Sequence, residues 1–188
     1  CDPEKKDLFA SLFSRLGDFE TRLNETEPGR LERKRDEIRA LAPGFLTLWS
    51  YEVSPLLTVR RSIEKTNLPP KGVEFRSGSV LPSNGLWDIR SVHGGKDGLL
   101  YLRSEYHSPR FGKGWLLFGA DGPVKVWVNG RDVGCHPEAV NPAVPGEYQA
   151  EVKWRKGANS IYFALRTNQG RAWGIFAAVF SGFPGLKP

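Results

Sequence analysis

A mainly β protein, folded as an antiparallel β-sandwich behind an N-terminal α-helical hairpin, is what this sequence predicts. Three observations carry the prediction. From Leu99 to Val179 apolar side chains recur at every second position in several short runs, the period of a strand with one buried face. Turn chemistry interrupts the same region at 77–85, 93–98, 108–114, 119–123, 129–130, 141–146, 156–159 and 167–171, the spacing of a sandwich or barrel. Between Leu8 and Leu23, by contrast, apolar residues return every three or four positions, the period of a helix.

Taken in order, residues 2–26 begin with Asp2 as a cap, Pro3 at the first helical position, and Glu4 and Asp7 where the helix dipole favours negative charge. Leu8, Leu12, Phe13, Leu16, Phe19 and Leu23 form one apolar stripe, and Pro28-Gly29 ends the helix. A second helix, Arg30–Leu41, is strongly charged, with Leu31, Ile38 and Leu41 on a thinner face, and Pro43-Gly44 stops it. The pair, helical over 3–41, is expected to pack on the sandwich or on another protein; no sustained heptad supports a long coiled coil. The run FLTLWSYEV, Phe45–Val53, suits a strand or a short helix, and Ser62–Gly72, with its Leu68-Pro69-Pro70, reads as a linker. The expected division is a helical extension at 1–45, a linker or first edge segment at 46–72, and the β domain at 73–188.

The β domain is organised around Gly114–Gly130. Trp115–Phe118 is an apolar run suited to a strand buried on both faces. Ala120-Asp121-Gly122-Pro123 is a turn, with Asp121 bonding nearby backbone N–H groups. Val124, Val126 and Val128 alternate with Lys125, Trp127 and Asn129, and Asn129-Gly130 closes the stretch as a β-hairpin core. Further on, Tyr148, Ala150, Val152 and Trp154 face inward, as do Ile161, Phe163 and Leu165. Ile175–Phe180, apolar on both faces, should be central, and Trp115 and Trp154 should lie in the core.

The stretch WLLFGADGPVKVWVNGRDV, followed by WRKGANSIYFALRTNQGRAWGIFAAV, resembles the galactose-binding-like jelly-roll domains attached to bacterial glycoside hydrolases and esterases. The sugar-binding domain of family 2 glycoside hydrolases is the nearest relative in pattern: Asn129-Gly130 names the hairpin, Lys156-Gly157-Ala158-Asn159 precedes the penultimate strand, and Trp173-Gly174 opens the last. The resemblance covers 85–181 and does not reach 1–45. It implies an antiparallel jelly-roll β-sandwich, and it is informative about fold more than function, because such domains often bind nothing themselves.

The chain's 188 residues suffice for a substantial core. Residues 1–42 hold nine Lys/Arg and ten Asp/Glu, leaving 18 basic and 11 acidic residues in the remainder, so the β half alone is basic, at +7. That balance suits an anionic glycan or an acidic partner surface. No run of five basic residues and no nucleic-acid signature accompanies it, so nucleic acid is not an expected partner. The chain has no Met and opens Cys1-Asp2, as mature bacterial lipoproteins do when an acyl group is attached to Cys1. An arbitrary chain boundary and a Cys1–Cys135 disulfide are the alternatives. The lipoprotein reading carries an extracytoplasmic, periplasmic or cell-surface location, with the membrane reached only through that lipid. Asn24-Glu25-Thr26 matches a glycosylation acceptor inside a predicted helix.

Catalytic motifs are missing. His93, His107 and His136 lie far apart with no helical metal-ligand spacing, and the adjacent Cys135-His136 would point to opposite faces of a strand. No G-x-S-x-G, P-loop or G-x-G-x-x-G preceding a helix occurs. No cofactor is expected. Trp127 sits on a polar strand face, either as a sugar platform or covered by the N-terminal helices or a neighbouring segment, and cover is the favoured reading. The candidate ligand residues are Arg166, Asn168, Arg171 and Trp173 after the penultimate strand, His136 and Asn141 in the 134–146 loop, and Trp87 in the 86–98 region. Trp173 would stack on a sugar face while Asn168 and Arg171 bond its hydroxyls. The sequence thus predicts a non-catalytic carbohydrate-binding-like module, acidic glycans preferred. The alternative is a lipid-anchored structural or assembly subunit that binds protein through its N-terminal helices.

Overall fold

The computed structural model describes residues 45–48, 50–58, 61–81 and 85–180; the helical hairpin expected at 3–41 lies outside them. Within the described residues the chain forms strands β1 (Phe45–Thr47), β2 (Glu52–Val53), β3 (Arg76–Ser77), β4 (Ser79–Val80), β5 (Trp87–Asp88) and β6 (Leu99–Ser108). Then follow β7 (Gly112–Ala120), β8 (Val124–Val128), β9 (Arg131–His136), β10 (Tyr148–Trp154), β11 (Gly157–Arg166) and β12 (Gly174–Phe180). Helix is confined there to a single turn, α1 (Arg90–His93), and a 3-10 turn at Ile63–Lys65.

All pairings are antiparallel and make two sheets. The first runs β10-β7-β12-β5-β4, with β1 also on β12; the second runs β3-β2-β6-β11-β8-β9. The run Phe45–Val53 therefore supplies a strand to each sheet, through Phe45↔Phe180 and Val53↔Leu102. The two sheets share one core. Leu116, Phe118, Trp154 and Val179 from the first meet Leu102, Val126, Ile161 and Phe163 from the second. Phe163 receives Trp87 and Phe118 edge-on at 5.6 Å each, and Tyr106 meets Trp154 at 4.9 Å. Such aromatic pairs add about 0.5–1.5 kcal/mol each beyond burial alone.

The alternation expected for Val124–Val128, Tyr148–Trp154 and Ile161–Leu165 matches the buried positions, and β12 is buried along its whole length. Three expectations need correction. The Gly114–Gly130 stretch is not one hairpin: β7 lies in the first sheet and β8 in the second, so Asp121-Gly122-Pro123 is an arch between sheets, and the hairpin is β8–β9 across Asn129-Gly130. Alternation reports which face is buried, not which sheet a strand joins. Trp115 is only partly buried and lies outside the shared core, its side chain on the other face of the first sheet. Residues 157–159, expected in a turn, already pair as the start of β11, with Gly157↔Ser108.

A smaller cluster covers the outer face of the second sheet, where Trp127 is buried with Tyr101, Leu99, Ala164 and Ile63. The cover comes from neighbouring residues that include Leu57, Ile63 and Leu68. Leu57 bridges Leu99, the Tyr101 hydroxyl donates to the Asn67 carbonyl at 2.8 Å, and Lys125 Nζ donates to the Glu64 carbonyl at 2.8 Å. Ser62–Gly72, expected as a linker, is thus docked in part on the sheet.

Candidate functional site

Three loops meet at one end of the two sheets: α1 with the turn after it, the 137–147 connection between β9 and β10, and residues 167–173 between β11 and β12. Asp121 ties two of them down. Its carboxylate, 3% exposed, accepts from the Trp173 N–H at 2.7 Å, the Gly174 N–H at 3.2 Å and the Ala143 N–H. The turn-forming role expected of Asp121 is therefore long-range, because the bonded amides lie 22 or more positions away.

The 167–173 loop is held to the α1 side just as closely. Thr167 Oγ1 donates to the Lys96 carbonyl and accepts from the Gly98 N–H, both at 2.9 Å, and the Gln169 N–H donates to Asp97 Oδ1 at 3.1 Å. Asn168 and Gln169 adopt the left-handed conformation, with φ of 49° and 58°. At Gly170 a Cβ would fall 2.0 Å from the Gly95 carbonyl oxygen, so the two loops touch backbone to backbone. His93 is buried and bridges them. Its Nδ1 accepts from the Gly95 N–H at 3.0 Å, which leaves Nε2 to donate to the Ala172 carbonyl at 2.9 Å.

These contacts leave a cleft of about 510 Å³ lined by Arg90, His93, Gly94, Asn141, Arg171 and Trp173. Trp173 also lines an adjoining hollow of about 230 Å³ with Leu86, Phe176, Pro142 and Ala143. The indole is 53% exposed although its backbone is fixed, and the Arg90 guanidinium lies 4.9 Å from its ring centre. Arg90 is aimed by a forked ion pair: Nε donates to Asp88 Oδ1 at 2.9 Å and Nη2 to Oδ2 at 2.7 Å. Those bonds hold the Asp88 carboxyl below its usual range and raise the Arg90 guanidinium. The cleft thus offers an aromatic surface, two guanidinium groups and an amide, with its nearest carboxylates already engaged.

Of the residues expected at a ligand site, Trp173, Arg171 and Asn141 come together here, and the Asn141 amide reaches the Arg171 carbonyl at 3.4 Å. Asn168 is spent behind the cleft, donating to the Asp121 carbonyl at 3.2 Å, and Arg166 stands 3.8 Å from Asp97. His136 faces elsewhere, stacked on Tyr148 at 3.9 Å with Nδ1 3.1 Å from Glu138. Trp87 is fully enclosed, stacked on Tyr51 at 4.7 Å with Nε1 donating to the Leu48 carbonyl, and presents no surface to a ligand. Arg90 was missed; its only sequence signal was the Asp88-x-Arg90 spacing ahead of Gly94-Gly95. Cys135 is a free, partly buried thiol whose pKa burial pushes up, and it lies against the outer cluster, away from the His136 ring. Among the described residues no group of three or more His, Cys, Asp or Glu is placed to hold a metal. No described helix is long and apolar enough to cross a membrane.

A larger cleft, about 820 Å³, lies on the outer face of the second sheet among Ser77, Arg103, Ser104, Ser160 and Tyr162. Its charges and rings answer one another. Arg103 is bonded to Glu52 and sits 4.4 Å from the Phe75 ring centre, and Phe75 meets Tyr162 edge-on at 6.2 Å. The smaller cleft is the better candidate because its indole and Arg171 project from a fixed frame toward open space.

No family model matches the chain, and no curated protein matches it in sequence. Among solved structures, the chain is similar to a β-glucosidase from Kluyveromyces marxianus, at 10% identity and a TM-score of 0.47, over 71% of this chain and 16% of that one. It is similar also to a β-glucuronidase from Ruminococcus gnavus, at 13% identity and a TM-score of 0.49, over 72% of this chain and 28% of that one. A Faecalibacterium prausnitzii β-glucuronidase gives 13% identity and a TM-score of 0.41, over 65% and 21%. The chain spans less than a third of the length of each.

Proposed function

We propose that this chain is a non-catalytic carbohydrate-binding-like module, a jelly roll of the galactose-binding-like kind, which takes a sugar residue against Trp173. One observation carries the reading: a large indole left 53% exposed on a loop whose backbone is pinned by Asp121. Sugars present apolar C–H faces that stack on such a ring, while their hydroxyls accept from guanidinium and amide groups. Arg171 and Asn141 line the same cleft and supply those donors. The surplus of +7 outside residues 1–42 favours acidic glycans, with affinity falling as salt rises.

The carboxylates nearest the cleft support a binding role over hydrolysis. Glycoside cleavage needs one carboxyl kept protonated as an acid beside a second, ionised one. Asp88 is held in its charged form by Arg90, and both Asp121 oxygens accept from backbone amides.

A glycan array followed by calorimetry is the direct test. Acidic oligosaccharides should bind the wild type, with Trp173→Ala and Arg171→Ala each weakening them roughly fivefold, the loss of about 1 kcal/mol of stacking or hydrogen bonding. Failure of the wild type to bind any neutral or acidic glycan overturns the reading.

A further inference from the structure

The outer face of the first sheet is apolar and closed, and the described residues do not account for what closes it. On β7 and β12, Leu116, Phe118, Ala177 and Val179 point into the shared core, so Trp115, Leu117, Phe176, Ala178 and Phe180 point the other way. Cross-strand register places them in rows, Trp115 opposite Phe180, Leu117 opposite Ala178, and Gly119 opposite Phe176. An uncovered face would leave these side chains wet. Instead Leu117 and Ala178 are 0% exposed, Phe180 4% and Phe176 8%, though none belongs to either hydrophobic cluster of the described residues. The 141–146 loop reaches the upper row: a Cβ on Gly119 would lie 1.8 Å from the Val144 carbonyl oxygen, and Phe176 shares a hollow with Pro142 and Ala143.

The geometry points to residues 8–23 of this same chain as the occupant: the apolar stripe of Leu8, Leu12, Leu16, Phe19 and Leu23 docks on the outer face of β7 and β12. Chain connectivity favours it. The 44 residues before β1 join the fold at Phe45, which pairs with Phe180 at the edge of this face. Length favours it as well. In the helix that the sequence predicts, sixteen residues would span about 24 Å, enough to cross the face, and the 21 residues from Asn24 to Gly44 allow a full return to β1. The surfaces also match in chemistry, an aliphatic and aromatic stripe against a sheet face bearing Leu117, Ala178 and Phe180. The docking is independent of sugar binding, since Trp173, Arg171 and Asn141 line the cleft formed by the loops.

Cross-linking in the full chain tests it. With Cys1→Ser and Cys135→Ser as background, Trp115→Cys is combined with Leu16→Cys on the stripe or Ser14→Cys on the opposite helical face, and each is treated with a short bis-maleimide. The expected result is an intramolecular link for the Leu16 pair and little for the Ser14 pair. A linked dimer would assign the face to a second copy, and no link, or equal linking of both pairs, would remove the stripe from it; each overturns the proposal. As a second measurement without cysteines, Leu16→Lys should lower the melting temperature by several degrees while Ser14→Lys leaves it nearly unchanged. Equal melting temperatures for the two lysine variants would likewise overturn it.

Discussion

The Asn129 side-chain amide donates to Asn159 Oδ1 at 2.8 Å, joining the β8–β9 turn to the first residues of β11. Asn159 is 0% exposed and its amide is fully used. Oδ1 also accepts from the Arg155 N–H at 2.9 Å, and Nδ2 donates to the Arg155 and Gly157 carbonyls at 2.9 Å and to Tyr106 at 3.3 Å. Asn129, at φ 51°, accepts in turn from the Ser160 N–H at 3.1 Å. Both asparagines stood out in the sequence as turn residues, and the bond shows that they act as a pair.

Asn159→Ala should therefore destabilise the fold by about 2–3 kcal/mol, because it strands buried donors and acceptors as well as losing bonds. Asn129→Ala, at a half-exposed site, should cost about 1 kcal/mol, with some of that from the left-handed backbone. Urea denaturation of the two single variants and the double reads the coupling. Strict additivity would show that the bond between them contributes nothing.

Asp121→Ala removes the acceptor for three backbone amides on two loops, and a loss of about 3 kcal/mol is expected. Hydrogen exchange localises the effect. The Ala143, Trp173 and Gly174 amides should lose protection, while amides of the β6–β11 ladder keep theirs relative to the global stability. Uniform loss across all amides would mean that Asp121 supports the whole fold and not the loops.

Tyr51 gives the protein an alkaline limit. Burial first, and the Asp88 carboxylate second, hold its phenol above the ordinary value of 10.0, while the hydroxyl donates to the Asp88 carbonyl at 2.7 Å. Above that ordinary value the unfolded chain has released the phenolic proton and the folded chain still holds it. Stability then falls with rising pH, by up to about 1.4 kcal/mol per unit for one group. Tyr101 and Tyr148 are raised by burial in the same sense. Urea midpoints should hold steady to about pH 9 and fall beyond about pH 10, less steeply in Tyr51→Phe. An unchanged slope in that variant would remove Tyr51 as the cause.

Much of this β framework was legible because burial imposes a period of two on long strands, as along Val124–Val128 and Tyr148–Trp154. Trp87 was misread because β5 is two residues long, too short for any period, so an indole beside Asp88 and His93 resembled a loop ligand. The sheet change at Asp121-Gly122-Pro123 was illegible for a different reason: the same residues make a hairpin or an arch, and the partners that decide, Arg166 above all, are distant in sequence. Arg171 and Trp173 were found through their composition. Arg90 could not be, since it reaches the site only through a fork to Asp88 and the meeting of two loops 70 or more positions apart.

That meeting of loops can be probed at two glycines with like backbones and unlike surroundings. Gly72 and Gly170 both have positive φ, 87° and 77°. A Cβ at Gly72 would meet nothing within 4 Å, whereas at Gly170 it would stand 2.0 Å from the Gly95 carbonyl oxygen and 2.3 Å from its carbon. Gly72→Ala should thus register only the left-handed penalty, about 1–2 kcal/mol. Gly170→Ala adds a backbone clash that no rotamer relieves, so the 167–173 loop must move off α1, at a total of about 3 kcal/mol or more. The displacement also carries Arg171 and Trp173 away from Arg90, so any glycan affinity should fall in Gly170→Ala and persist in Gly72→Ala. Denaturation and calorimetry on the two variants together make the check, and equal stabilities would show that the Gly95–Gly170 contact does not hold the loops.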